Sequence, residues 1–333
     1  MVRTLTSRPP VGRGLPRLAA AGLTALALAL GLAAGAPSEP ASAVPKPPPA
    51  ASVPSGIEPL AAYVPATSCT VTTRPGTAAL GKLLVTTYPK TSFGGARSCG
   101  ASPSSEHHDG RAVDWMNSVR NKTQKKQAQA VIDWLFAEDA QGNPYANARR
   151  LGVMYVIWDN HIWGAYRPSD GWREYNGCEA KSKQKKSLDS ACHRNHMHLS
   201  LSWAGAMGRT SYWTGAVAPT DYGRCRPADM SWSYSYKKPN ANPCPRVGRP
   251  KAPKGASKTL KTLVTYSGRS IKKGDRFPAV KAVQKTVGAK QTGTWSSAST
   301  ARLKTFQTEH DLPATGKVNY ATWRALEKAN APT

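Results

Sequence analysis

Two histidine clusters, far apart in the chain, place the strongest constraint on its fold. Ser105-Glu-His-His-Asp-Gly-Arg-Ala-Val-Asp114 sets His107 and Asp114 seven positions apart across a glycine turn, with apolar Trp115 and Met116 directly after. Much later, His193-Arg-Asn-His-Met-His198 runs into Leu199-Ser-Leu-Ser-Trp203. The alternation through His196-Met-His198 is that of a strand, so His196 and His198 should share a face. A single histidine is ordinarily a satisfied polar side chain in a loop. Here five of the seven histidines fall in these two short segments, which points to one shared site. Two neutral imidazoles and a carboxylate form a three-ligand set suited to zinc, with a fourth position left for water. Such an open site polarises a carbonyl and generates a hydroxide nucleophile near neutral pH.

The rest of the sequence places that chemistry outside the cell. Arg3, Arg8, Arg13 and Arg17 precede an apolar run from Leu18 to Ala34, and Ala41-Ser-Ala43 offers a cleavage site. Ala34-Gly-Ala36 is a second candidate, disfavoured by Pro37. Residues 1–43 therefore read as a secretory signal peptide. A retained anchor is the alternative, but the apolar run is short for a membrane span. Lys and Arg number 46 against 19 Asp and Glu, a formal charge of +27. A surface this basic attracts polyanions. For an exported chain these are anionic wall polymers and wall-peptide carboxylates, not nucleic acid, and no membrane contact is expected after signal cleavage. Cys69, Cys99, Cys178, Cys192, Cys225 and Cys244 suit an oxidising compartment. Fifteen pairings are open; the order along the chain suggests three local loops, 69–99, 178–192 and 225–244. None has Cys-x-x-Cys spacing, which argues against a redox or thiolate–zinc centre.

Composition divides the mature chain. Residues 44–65 are a Pro/Ala-rich linker, 66–244 a folded domain, 245–266 a Pro/Lys-rich linker and 267–330 a second domain. In the first domain the spacing predicts helices over 77–84, over 123–139 with Ala128, Val131, Ile132, Leu135 and Phe136 on one face, and from Asn143-Pro144 to about Arg150. The runs 153–158 and 162–166 flank Asp159-Asn160 as a hairpin, and the late His-x-His strand should join the same sheet. The fold class is α+β. Trp158, Trp163, Tyr166, Trp172 and Tyr175 either line a substrate groove or pack the sheet. Lys181, Lys183, Lys185 and Lys186 form a basic run, a solvated face or a device steering anionic polymer to the site.

The motif Ser105-x-His107-x-x-Gly110-x-Ala112-x-Asp114 followed by a late His-x-His resembles the zinc D-alanyl-D-alanine peptidases, a family that includes VanY-type carboxypeptidases, murein endopeptidases and the Hedgehog-like zinc fold. The resemblance implies zinc held by His107, Asp114 and His198 on a small antiparallel sheet flanked by helices, and cleavage of peptide bonds in peptidoglycan. In the second domain, Val280, Val283 and Val287 with Gln284, then Thr300 to Phe306-Gln307, then Gly316-Lys-Val318 and Thr322-Trp323-Arg-Ala-Leu326, are similar to the three-helix peptidoglycan-binding domain. Thr292 and Thr315 stand where that family usually has Asp before its turn glycines.

A peptidase also needs a general base. Many relatives carry an acidic residue three positions before the last ligand; here that position is Asn195, which does not titrate and is expected to serve at best as a hydrogen-bond donor. Endopeptidase-type relatives instead have histidines five and two positions before it, which are His193 and His196 here. His196 is thus the expected catalytic residue nearest the metal-bound water and His193 its support, with Glu106 and His108 flanking the first ligand and Asp109 a nearby carboxylate. The expected protein is a monomeric zinc metallopeptidase directed to peptidoglycan. The competing reading is a non-catalytic wall-binding protein with a structural or degenerate zinc site. A secreted nuclease is the weakest alternative, opposed by the wall-binding motif.

Overall fold

The period-2 and period-3.6 patterns resolve into one antiparallel sheet with helices laid against it. The computed structural model describes residues 44–100 and 103–332; the signal sequence read over 1–43 lies outside them. In chain order the first domain contains α1 (Pro75–Thr87), β1 (Ser92–Gly94), β2 (Ala112–Met116), α2 (Lys122–Phe136), α3 (Ala146–Leu151), β3 (Val153–Trp158), β4 (His161–Gly164), β5 (Arg173–Glu174), β6 (Met197–Leu201), α4 (Trp203–Ala206) and α5 (Ser211–Thr214). The six strands form one sheet in the order β1-β2-β6-β3-β4-β5, every neighbour antiparallel. The late strand β6 enters between β2 and β3, pairing Asp114 with His198 and His198 with Ile157. Alternation then sorts the faces. Val113, Trp115, Met197, Leu199 and Val156 belong to the buried core; Asp114, His198, Ser200 and Tyr155 fall on the opposite face.

The longest of these helices, α2, starts where Asn121 Oδ1 accepts from the Thr123 and Gln124 amides at 3.0 and 3.1 Å, satisfying two donors that a helix start leaves open. It ends at Phe136, short of the expected 139. Asp139 is drawn into a local turn, accepting from the Gln141 and Asn143 amides and from buried Arg150, and that competition ends the helix. Asp159 and Asn160 both have positive φ (45° and 71°), the geometry of a two-residue hairpin turn. All three local disulfides are formed, Cys69–Cys99, Cys178–Cys192 and Cys225–Cys244.

Two stretches expected to be linkers are built into the structure. Along 44–65, the Pro45 and Pro48 carbonyls accept from the Tyr88 and Tyr212 hydroxyls. Glu58 is buried, taking the Ser211 amide and hydroxyl at 2.6 and 2.7 Å and the Ala218 amide at 3.0 Å, while Ala61 and Val64 join the core. A proline-rich strap offers carbonyls and few donors, so tyrosine hydroxyls are natural partners. Within 245–266, Lys258–Tyr266 is helix α6, capped by Ser257. With α7 (Pro278–Thr286), α8 (Ser297–Glu309) and α9 (Tyr320–Lys328), it surrounds a second core containing Leu263, Tyr266, Val283, Leu303, Phe306, Trp323 and Leu326. Met230 joins this second core, while Ser233 N–H donates to Thr67 O in the first domain at 2.7 Å.

The helical domain is built twice over. Gln284 and Gln307 are fully buried. Each donates from Nε2 to a threonine hydroxyl 8 residues on, a carbonyl 10 on and a hydroxyl 15 on, and accepts at Oε1 from a glycine amide 9 on. The threonines are Thr292 and Thr315. Their hydroxyls also accept from the amides two residues later at 3.2 Å, so threonine closes the turn as an aspartate would.

Candidate metal centre

Two structures meet at the site: the turn before β2 and the strand β6. Ser105 opens a 3₁₀ turn over Glu106–Asp109 by accepting the His107 amide, and Gly110 reverses the chain at φ 82°. A Cβ there would lie 2.3 Å from Thr72 O, so only glycine fits. Below the turn, Arg111 is wholly buried. It grips Asp109 at 3.1 Å through both Nε and Nη2 and donates to the Leu201 and Val64 carbonyls at 2.9 Å. Asp109 is thereby committed to Arg111, and burial raises its carboxyl to about 6. It is no partner of His193 or His196.

His107 Nε2, Asp114 Oδ1 and His198 Nδ1 converge, separated by 3.0, 2.9 and 3.2 Å. All three residues are buried. The other ring nitrogens fix the protons. His107 Nδ1 lies 2.6 Å from Gly95 O, and a carbonyl only accepts, so that nitrogen carries the hydrogen. Ser200 Oγ donates to Glu106 Oε2 and so accepts from His198 Nε2 at 2.8 Å. In the neutral rings, Nε2 of His107 and Nδ1 of His198 therefore turn lone pairs toward the carboxylate oxygen. Three lone pairs at this spacing repel unless a proton or cation lies among them. Tetrahedral zinc with bonds of about 2.0–2.1 Å has ligand atoms about 3.3 Å apart, close to the separations found. The donor set fits a divalent ion, and these three residues form the one group among the described residues able to hold one.

Neighbours reinforce the arrangement. Burial raises Asp114, but whenever a proton sits on the facing ring nitrogens, hydrogen bonds from His107 and His198 outweigh it and hold the carboxyl well below its usual range. Arg97, at the exposed mouth, also contacts its Oδ2. His198 is lowered by burial, opposed by Asp114. Tyr155 stacks on the His198 ring at 5.4 Å and donates to Glu106; burial and the Glu106 charge raise its hydroxyl far above the normal value. Arg97, Tyr155 and Ser200 escaped the sequence reading. Ser200, two residues beyond His198 on one strand, was accessible from the period-2 rule; the other two come from separate strands or loops.

The second histidine cluster lies beside this group. His196 Nε2 is 3.6 Å from Asp114 Oδ1, and its Nδ1 is 2.8 Å from Asn195 Oδ1. An amide oxygen only accepts, so Asn195 serves as an acceptor and not as the donor expected. It fixes the tautomer that turns the His196 Nε2 lone pair toward the cluster. Burial lowers His196, against the pull of Asp114. His193 holds φ 53°, its ring centroid 4.7 Å from His196 and 5.7 Å from His198; burial and its two histidine neighbours bring it to about 3. His108 is half-buried, and its carbonyl accepts from Thr70 N. Of the aromatics, Trp158 and Trp163 are core residues, Tyr166 packs on Tyr63 and Trp172 lies beside Phe136. Tyr175 alone reaches the site, edge-on to His193 at 5.0 Å.

Arg194, hidden between His193 and Asn195, anchors this loop. It is buried, and binds Asp189 Oδ1 at 2.7 Å, Asn160 Oδ1 at 2.8 Å, and the Lys183 and Lys185 carbonyls at 2.8 and 3.0 Å. The Asp159 and Asn160 amides of the hairpin turn donate to His193 O and Cys192 O. The lysine side chains of the basic run stay exposed.

Residues 69–185 match the family described as the VldE C-terminal domain, and residues 281–326 match a peptidoglycan binding domain. The first match spans His107 and Asp114 but stops before the second histidine cluster. No curated protein and no solved structure matches the chain. A peptidoglycan-binding domain beside this mixed helix-and-sheet domain defines a cell-wall-associated protein. The three disulfides fit an extracellular setting, and no helix among the described residues is long and apolar enough to cross a membrane.

Proposed function

We propose that this is a secreted, zinc-dependent peptidase that cleaves peptide bonds of peptidoglycan and is held on the wall by its C-terminal helical domain. The observation that carries the reading is the convergence of His107 Nε2, Asp114 Oδ1 and His198 Nδ1 with their protons fixed on the far sides. When bound, zinc supplies Lewis acidity to a carbonyl and brings the pKa of water near 7. The chain supplies the rest. His196, with Nδ1–H on Asn195, presents Nε2 to take a proton and return it to the leaving amine. His193 packs against His196 and limits its ring. Asn195, where relatives have an acid, thus acts through His196. Arg97, cationic at the mouth, suits an anionic peptide. The buried joint at Met230–Ser233 ties the wall-binding helices to the first domain, raising local substrate concentration.

Purified sacculi incubated with the protein should release new amino termini, and a chelator should stop this. Mass spectrometry of the fragments identifies the bond. Binding to sacculi without release, with or without added zinc, would establish instead a non-catalytic wall-binding protein. Degradation of nucleic acid with intact sacculi would overturn both.

A further inference from the structure

One buried group near the site has no partner. Asn117, three residues beyond Asp114, is only 2% exposed, yet neither its Oδ1 nor its Nδ2 makes a hydrogen bond. A buried amide left unpaired is costly, and native proteins rarely keep one without a use. Asn117 lines a groove of roughly 390 Å³ together with Met116, Ser92 and Asn195. The groove and the metal centre share neighbours. Asn195 lines it and also holds His196, and strand register pairs Ser92 with Met116, two residues along from Gly94 and Asp114.

We infer that this groove binds one arm of the peptide substrate, with the Asn117 amide pairing with a backbone peptide unit of that arm. A primary amide offers a donor and an acceptor side by side in one plane, the complement of a peptide N–H and C=O. The volume lies in the range of ligand sites and suits a few residues. Sugar rings stack their C–H faces on aromatic side chains, and none of the residues lining the groove is aromatic. Lys90 at the rim places a cation where an acidic wall peptide carries carboxylates. Choosing a wall peptide rests on the peptidase reading; the unpaired amide does not.

The test is titration of a synthetic acidic stem tetrapeptide into the purified protein, with EDTA present to stop turnover. Wild type should bind, and Asn117→Leu and Asn117→Ala should each weaken binding by about tenfold or more, the worth of two hydrogen bonds. Leucine removes both unpaired polar atoms at similar size, so Asn117→Leu should hold its thermal midpoint or raise it by ~2–4 °C. A residue of structural value alone would move stability and binding down together. If Asn117→Leu fails to fold, Asn117→Ala carries the comparison. Equal affinity in wild type and variants overturns the inference, as does no binding by wild type. Asn117-dependent binding of peptide-free glycan at equal or higher affinity also overturns it. Asn117-dependent peptide binding by a protein that never cleaves sacculi keeps the groove and removes the peptidase.

Discussion

Replacing Arg194 by Ala should separate the two halves of the site. Its guanidinium makes a charge-assisted hydrogen bond to Asp189 and another to the Asn160 side chain. It makes two more to the Lys183 and Lys185 carbonyls, which belong to an exposed run that water can reach once the side chain is gone. A hydrogen bond involving a charged group contributes roughly 1.5–3 kcal/mol, and those to Asp189 and Asn160 fall toward the lower end because Arg120 and water take over part of what Arg194 held. The loss should therefore be about 3–4 kcal/mol, short of the ~5 kcal/mol reached when a buried charge is wholly orphaned. Asp189 is not orphaned, because Arg120 still holds both its oxygens. In urea, with a slope of roughly 2–3 kcal/mol per molar, the midpoint should fall by about 1–2 M. Lysine keeps the charge but not the planar fork, so Arg194→Lys should fall between the two. Metal content should survive, because His107, Asp114 and His198 are fixed by the turn and by β2 and β6. Hydrolysis should drop sharply, because His193 and His196 ride on the loosened loop. An unchanged midpoint, or loss of metal in step with activity, would refute the reasoning.

Three further outcomes are expected. His198→Ala should abolish stoichiometric zinc, read by elemental analysis, while the tryptophan signal of the C-terminal helices still melts cooperatively; full zinc in that variant removes His198 from the ligand set. Gln307→Leu and Gln284→Leu should each cost roughly 2–4 kcal/mol, since each strands a partly buried glycine amide and a carbonyl. Their costs should agree within about 1 kcal/mol if the two turns are equivalent, and a disparity beyond that in denaturation midpoints breaks the equivalence. Arg120, with Arg194 and against burial, lowers the Asp189 carboxyl to about 2. Its contribution to stability should thus be whole above the ordinary carboxylate value near 4 and fade as the pH falls through about 2. Asp189→Asn should flatten that acid limb of the stability profile, and an identical limb in the variant would exclude Asp189 as its source.

Much of the site was legible because its signals are local. The seven-residue spacing of His107 and Asp114, the glycine between them and the alternation through His198 each report a short-range geometry, and the hairpin at Asp159-Asn160 follows from residues that accept positive φ. The helical domain was legible for the same reason: Phe306-Gln307 and Thr322-Trp323 lie within a few turns of what they touch. The packing of 44–65 and the helix Lys258–Tyr266 were not legible from composition, because proline content reports backbone freedom and says nothing of which hydroxyls await its carbonyls. Only the tertiary structure decided that Asn195 accepts from His196, that Asp109 belongs to Arg111, that Arg194 holds the second cluster and that Asn117 is left unpaired. Each of those facts depends on partners brought together by the insertion of β6 between β2 and β3, and a hydrogen bond is fixed by distance and direction in space, which sequence separation does not encode.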